Sequence, residues 1–186
     1  MQWPVPGSSS KELPGKGGAG CFWQNRGDRY HCGIDIYAPK GSVVNALEDG
    51  IVLDMGLFTS PQHVLYWNPT YFIVVAHVSG IIARYAELDN FVMESDDIIS
   101  AGNILGYVGQ VLNSACITDQ SPDYVRQLCT ERNTSMLHLE MFSCYPVDIP
   151  NYLGGNTFQH KCPSFLLNPC DFLGDSPKIN MPTAAY

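Results

Sequence analysis

The 186 residues are enough for one domain with a real core and a squeeze for two. Hydrophobic residues at 45% and charged residues at 15% exclude a disordered chain. Ten Lys and Arg against eighteen Asp and Glu, a net charge of -8, exclude nucleic acid or an anionic membrane surface as the main partner, because both reward clustered basic side chains.

In chain order, residues 1–20 are rich in Gly, Ser, Pro and Lys and read as a lead-in arm. No basic start followed by an apolar run is visible there, so no signal peptide is seen. No apolar stretch approaches the ~20 residues of a membrane span. From residue 34 on, short apolar runs alternate with turn signals. "SVVNAL" and "IVLDMGL" flank Asp49-Gly50, and "TYFIVVAHV" and "IIARYAEL" flank Ser79-Gly80; both pairs read as hairpins. "DDIISAGNILGYVGQVL" reads as strand-turn-strand and "SMLHLEMF" as an alternating strand. The one helix expected follows Pro122, over "DYVRQLCTE". The fold class expected is therefore all-β, mostly antiparallel, with one short helix and long ordered loops.

Seven cysteines (21, 32, 116, 129, 144, 162, 170) are many for a reducing compartment and form no CxxC pair. They point to an extracellular or periplasmic protein whose signal has been removed. Sequence does not fix the pairing; near neighbours Cys21–Cys32, Cys116–Cys129 and Cys162–Cys170 are the simplest scheme. Reduced buried thiols are the alternative.

The chemistry begins at "RYHCGIDIYAPKG", where in extended chain His31, Gly33 and Asp35 share a face, with no side chain between imidazole and carboxylate. Zinc accepts both donors. In "SMLHLEM" alternation sends Leu137, Leu139 and Met141 to the core and Met136, His138 and Glu140 to the other face. His31, Asp35 and His138 then make a three-ligand set with a fourth position open, as a catalytic zinc needs. In "ARYAELDNF" the same alternation puts Tyr85 and Glu87 on one face, where Glu87 is a candidate general base. Glu140 reads either as an orienter of His138 or as a solvated carboxylate. His77 reads as a core or edge histidine, His63 and His160 as surface residues, and Arg26 and Asp28 as loop charges.

Taken together these stretches resemble the lysostaphin/LytM-type zinc metallopeptidases, peptidase family M23. "WPVPG" at 3–7 is similar to the usual lead-in. "HCGIDIYAPKGSVVNALEDGIV" at 31–52 matches His-x-Gly-x-Asp, Ala-Pro-x-Gly, Val-x-Ala and Gly-x-Val. "YFIVVAHVSGIIARYAEL" and "DDIISAGNILGYVG" match the central hairpins, "MLHLEM" stands where the family has His-x-His-Phe-Glu, and "NPCDFL" at 168–173 resembles its close. The resemblance implies an M23-like β domain over 21–173, insertions near 113–133 and 145–165, and a tail at 174–186. It implies one zinc ion on His31, Asp35 and His138. The family's two non-ligand histidines fall on Glu87 and Met136, so the metal site is kept while the proton chemistry is changed. The activity implied is that of a zinc metallo-endopeptidase, a secreted hydrolase of peptidoglycan cross-bridges or similar peptides; the sequence leaves the oligomeric state open, with a monomer favoured. Glu87 is then the single base, and Tyr85 or Arg84 the helper at the oxyanion, with alternation favouring Tyr85. The alternative is a non-catalytic zinc-containing module that binds glycan or a protein partner.

Overall fold

The computed structural model describes residues 1–8, 11–27, 29–132, 134–145 and 154–174. In chain order their elements are β1 (Tyr30–His31), β2 (Ile34–Tyr37), β3 (Val43–Asn45), β4 (Gly50–Thr59), β5 (Thr70–His77), β6 (Ile82–Phe91), β7 (Ile98–Ile99) and β8 (Ile104–Val108). There follow α1 (Asp123–Thr130), β9 (Met136–Phe142), β10 (Asn156–Phe158), β11 (Leu166–Leu167) and α2 (Cys170–Leu173). Nine strands form one sheet whose main path runs β11, β9, β6, β5, β4, β7. β2 also lies along β9, and β8 joins β6 to β3. Every pairing is antiparallel, and β1 and β10 form a separate two-stranded ribbon. The chain is thus mostly antiparallel β, as its alternation predicts. No helix among the described residues is long and apolar enough to cross a membrane.

Alternation in β9 works as read. Leu137, Leu139 and Met141 enter a core with Ile34, Ile36, Ile73, Val75, Ala83 and Tyr85, each burial contributing about 1.5–3 kcal/mol for the larger side chains. The opposite face of β9 carries His138 and Glu140, also buried, because loops and α1 cover that side. Tyr124, Val125 and Leu128 of α1 meet Val111, Leu112 and Met136 in a second apolar cluster.

Several local expectations are corrected. The β5–β6 hairpin forms about Ser79-Gly80, with Gly80 at φ +84°. The other two reversals do not join partners: β3 pairs with β8 rather than β4, and β7 pairs with β4 rather than β8. A turn signal says that the chain reverses; the partner is chosen by which apolar face each strand must bury. Residues 1–8 are no free arm: Gln2 N–H donates to the Leu47 carbonyl, Asn45 N–H to the Pro4 carbonyl, and Val5 lies in the core. The loops expected after Tyr145 contain β10, β11 and a second helix, α2. Residues 146–153 and the tail from 175 lie outside the described residues. All seven cysteines are free thiols, so none of the three expected disulfides is formed. Cys32 instead turns inward, where the Thr157 N–H donates to its sulfur, and burial, aided by Glu140, pushes its thiol up to about 12.

Candidate metal centre

Asp35 on β2 lies directly opposite His138 on β9 in the antiparallel register, which places both side chains side by side on one face. His31 reaches them across a bend at Gly33. A Cβ on Gly33 would fall 2.2 Å from the Leu139 carbonyl oxygen, so glycine is required there for close approach to β9 rather than to leave space for an ion. Three donor atoms converge: His31 Nε2 to Asp35 Oδ1 is 3.1 Å, His31 Nε2 to His138 Nδ1 is 3.0 Å, and His138 Nδ1 to Asp35 Oδ1 is 2.9 Å. All three residues are buried, at 2%, 6% and 1% exposure.

The other imidazole nitrogens decide which atoms face the centre. His31 Nδ1 is 2.9 Å from the Cys21 carbonyl, so it carries a proton and leaves Nε2 as the ligand atom. His138 Nε2 donates to Glu140 Oε1 at 3.0 Å, leaving Nδ1 as its ligand atom. Arg84 Nη1 donates to the second oxygen of Glu140 at 3.0 Å. Glu140 is therefore the buried orienter of His138 and no solvated edge carboxylate. Tetrahedral zinc with bonds of about 2.0–2.2 Å spaces its ligand atoms by roughly 3.3–3.6 Å. The observed triangle needs only a few tenths of an ångström of expansion, and the donor set of two imidazoles and a carboxylate suits zinc.

Electrostatics describe the metal-free state. Burial lowers the His31 pKa more than Asp35 raises it, so this ring is neutral. Burial also acts to lower the His138 pKa, but hydrogen bonds to Asp35 and Glu140 outweigh it and raise the pKa to about 10. His138 is then an imidazolium clamped between two carboxylates. Burial acts to raise the Asp35 pKa, yet the neighbouring His31 and His138 outweigh it, His138 through its N–H and its charge, and hold it below the usual carboxylate range.

The three donors frame a cavity of about 40 Å³, also lined by Arg26, Trp67, Glu87, Val111, Leu112, Tyr124, Val125, Leu128, Met136 and Asn156. Glu87 reaches it because the strand alternation breaks. Opposite β6, Tyr71 pairs with Leu88 and Phe72 with Ala86, so Glu87 is an extra bulge residue, with φ at +63°. The Glu87 carboxyl is buried, its Oε2 makes no hydrogen bond, and burial followed by the charge of Asp35 raises its pKa to about 8.

The placement of Tyr85 beside Glu87 is corrected by the same bulge. Tyr85 lies in the core on the other face, where its hydroxyl is 2.8 Å from His77 Nε2 and accepts from the Leu47 N–H. His77 is the core histidine the sequence suggests, and His63 and His160 are exposed. Met136 lines the cavity as part of the apolar cluster. Asp28 lies outside the described residues. Arg26 is no mere loop charge: its side chain is 7% exposed, Nη2 donates to Asp35 Oδ2 at 3.4 Å, and its guanidinium stacks 4.5 Å from the Tyr124 ring centroid. Nothing in the periodicity marks Arg26, because it stands in an irregular loop.

Two glycine segments close the site from above. A Cβ on Gly155 would come within 2.4 Å of His138 Nε2, and one on Gly20 within 2.7 Å of Asp35 Cβ, so both backbones rest directly on the ligands. The Gly155 carbonyl accepts from the Cys32 N–H at 2.7 Å, and Asn156 pairs with His31.

Known proteins resemble this chain in sequence and in fold. It is 31% identical over 81 residues to the DD-carboxypeptidase/endopeptidase Mpg of Neisseria meningitidis serogroup B and, equally, to that of Neisseria gonorrhoeae. The match covers 44% of this chain and 17% of the length of those curated relatives. The catalytic domain of the antimicrobial peptidase lysostaphin from Staphylococcus simulans shares the fold, with a TM-score of 0.52 at 17% identity over 85% of this chain and 91% of that one. The sequence profile of peptidase family M23 matches residues 29–123, half of the chain, and the chain belongs to that family.

Proposed function

We propose that this protein is a zinc-dependent metallopeptidase that hydrolyses peptidoglycan cross-bridges or similar short peptides outside the cytoplasm, with Glu87 as its general base. The observation that carries this reading is the triangle of His31 Nε2, Asp35 Oδ1 and His138 Nδ1 with Glu87, whose buried Oε2 makes no hydrogen bond, lining the same cavity. Membership of a peptidase family and relatives named as peptidases support hydrolysis in general.

A zinc ion held by His31, Asp35 and His138 supplies Lewis acidity, polarising a carbonyl and bringing the pKa of a water toward about 7. The protein's own groups supply the rest. Glu140 and the Cys21 carbonyl fix the two imidazoles in the tautomers that expose Nδ1 and Nε2. In hydrolysis the water oxygen bonds to the scissile carbonyl carbon, the C–N bond breaks, and one water proton ends on the departing nitrogen. Glu87 is the group that takes and returns that proton. Its carboxyl, raised to about 8 by burial and by Asp35 in the metal-free chain, falls when a cation is near, which sets it close to neutrality as a base should be. Tyr85, turned into the core, has no part in this chemistry.

A second reading, a non-catalytic zinc-containing module that binds glycan or a protein partner, is favoured by Met136, which lines the cavity and exchanges no proton. Metal analysis followed by incubation with muropeptides separates the two. The peptidase reading expects one zinc per chain, cleavage products, and a rate loss of about 10²–10⁴ in Glu87→Gln with the metal retained. Zinc without product from any muropeptide selects the module, and equal activity in Glu87→Gln removes the base assignment.

A further inference from the structure

Amide hydrolysis gathers negative charge on one atom: as water adds, an electron pair of the C=O bond moves onto the carbonyl oxygen, and a fixed donor aimed there lowers the barrier. Met136 offers no such donor, and the two that the sequence suggests are engaged elsewhere. The Tyr85 hydroxyl lies 2.8 Å from His77 Nε2 in the core, and Arg84 donates through Nη1 to Glu140 and through Nη2 to the Tyr145 hydroxyl. Arg26 is the one lysine or arginine lining the metal cavity among the described residues. Its Nε is buried and has no hydrogen-bond partner among the described residues. Leaving such an N–H unmatched costs about 1–3 kcal/mol. The guanidinium is held in this state: Nη2 donates to Asp35 Oδ2 at 3.4 Å, and the group sits 4.5 Å over the Tyr124 ring centroid. The other oxygen of that carboxylate, Asp35 Oδ1, is a corner of the metal triangle, so the cation stands one carboxylate away from the centre. Its charge also reaches Glu87, where it opposes the rise in pKa. A counter-ion for Asp35 needs only Nη2; the unmatched Nε is what that role leaves unexplained.

We propose that Arg26 is a catalytic residue of the hydrolysis, the donor whose Nε–H holds the oxyanion that forms on the scissile carbonyl. The inference rests on the peptidase reading and fills the place that Met136 leaves without a donor. The water oxygen bonds to the carbonyl carbon, the C=O electron pair moves to the oxygen facing Arg26, and Glu87 takes the water proton. The pair then returns, the C–N bond breaks, and Glu87 gives the proton to the departing nitrogen. Arg26 keeps its own protons throughout, because a guanidinium does not deprotonate in a protein. Its hydrogen bond to the oxyanion is charge-assisted and therefore stronger than one to the neutral carbonyl of the substrate, which is the difference that speeds a reaction. Tyr124 of α1 orients the donor by lying against its plane, so the helix serves the chemistry without touching the reacting atoms.

The test combines kinetics with a direct view of the Nε–H. Zinc-loaded wild type, Arg26→Gln and Arg26→Lys are compared in muropeptide hydrolysis and in zinc content. Their arginine side-chain N–H signals are followed by NMR during titration with dimethylphosphinate, a tetrahedral anion that stands in for the oxyanion. Losing one such donor costs about 10²–10³ in kcat, so Arg26→Gln should lose that much with KM little changed and zinc content unchanged. Arg26→Lys should recover part of the rate. In the wild type, dimethylphosphinate should move the Arg26 Nε–H signal downfield, as a new charge-assisted hydrogen bond does; Arg26→Lys identifies the signal by removing it. The wild-type titration and Arg26→Lys still decide the matter if Arg26→Gln fails to fold. A kcat that survives Arg26→Gln, a loss confined to KM or to zinc content, or an Nε–H signal that dimethylphosphinate leaves in place overturns the proposal while wild-type cleavage keeps the peptidase reading. Wild-type protein that cuts no muropeptide ends the peptidase reading, and this role of Arg26 with it.

Discussion

Glu87 combines two unfavourable features, a left-handed backbone at φ +63° and a buried carboxyl with one oxygen unmatched. Each costs on the order of 1–3 kcal/mol, and both are relieved by glycine. Glu87→Gly is therefore expected to be more stable than Glu87→Ala by about 1 kcal/mol in urea unfolding, with hydrolysis lost in both. Equal stability of the two would show that the bulge carries no strain. His138 makes a second prediction at this scale. Its pKa, raised to about 10, means that stability from its two carboxylate contacts is full below the ordinary imidazole value of about 6.5 and is lost as pH rises through 10. Glu87, raised to about 8, acts in the same direction between its ordinary value of about 4.5 and 8. The metal-free protein should weaken from pH 6.5 to 10 in urea titrations. Zinc binding at pH 7 should release between one and two protons, one from His138 and a part from Glu87, measured by calorimetry in buffers of different ionisation enthalpy, and should tighten as pH rises. Alternation along β9 shows that His138 lies off the main core, but His31 and Asp35 are not on one extended face, since the chain bends at Gly33 between β1 and β2; their grouping with His138 is legible from the family motif rather than from spacing. Arg26 is not legible, since an irregular loop has no period, and Tyr85 was misplaced because a one-residue bulge flips the alternation that ranked it with Glu87.

At the scale of elements, the strand at Leu137–Met141 and the β5–β6 hairpin follow from local pattern, while the pairings of β3 and β7 do not. They depend on which apolar strand lies free when the sheet assembles, information spread over the whole chain. The segment at Gly154–Asn156 belongs to the same class, because a glycine pair says that a close approach occurs and not what is approached. Gly155→Ala is the direct probe: its Cβ would meet His138 Nε2 at 2.4 Å from a backbone at φ +77°. We expect a loss of about 1–3 kcal/mol in stability and weaker zinc binding in competition with a chromophoric chelator, because the ring that carries Nδ1 must move. Unchanged zinc affinity would mean that the segment yields instead of the ring.

Across the whole molecule, a site assembled from β1, β2 and β9 exists only in the folded chain. Free zinc at one hundred times its dissociation constant should therefore stabilise the protein by about 2.7 kcal/mol, and a chelator should remove that gain. Asp35→Asn should bind far less zinc and lose most of the shift. A zinc-independent unfolding midpoint in the wild type would argue that the three donors hold no ion in the native state.

The backbone that roofs the ligands is also the backbone that tethers one of them: the Gly155 carbonyl holds the Cys32 amide, and Asn156 is the strand partner of His31. Lifting the roof to admit a guest slackens the imidazole next door, so admission and grip are opposing demands on the same few bonds. If the proposed zinc peptidase reading holds, the ion is released fastest during turnover, and a scavenger of free zinc should inactivate the protein more quickly during turnover than at rest.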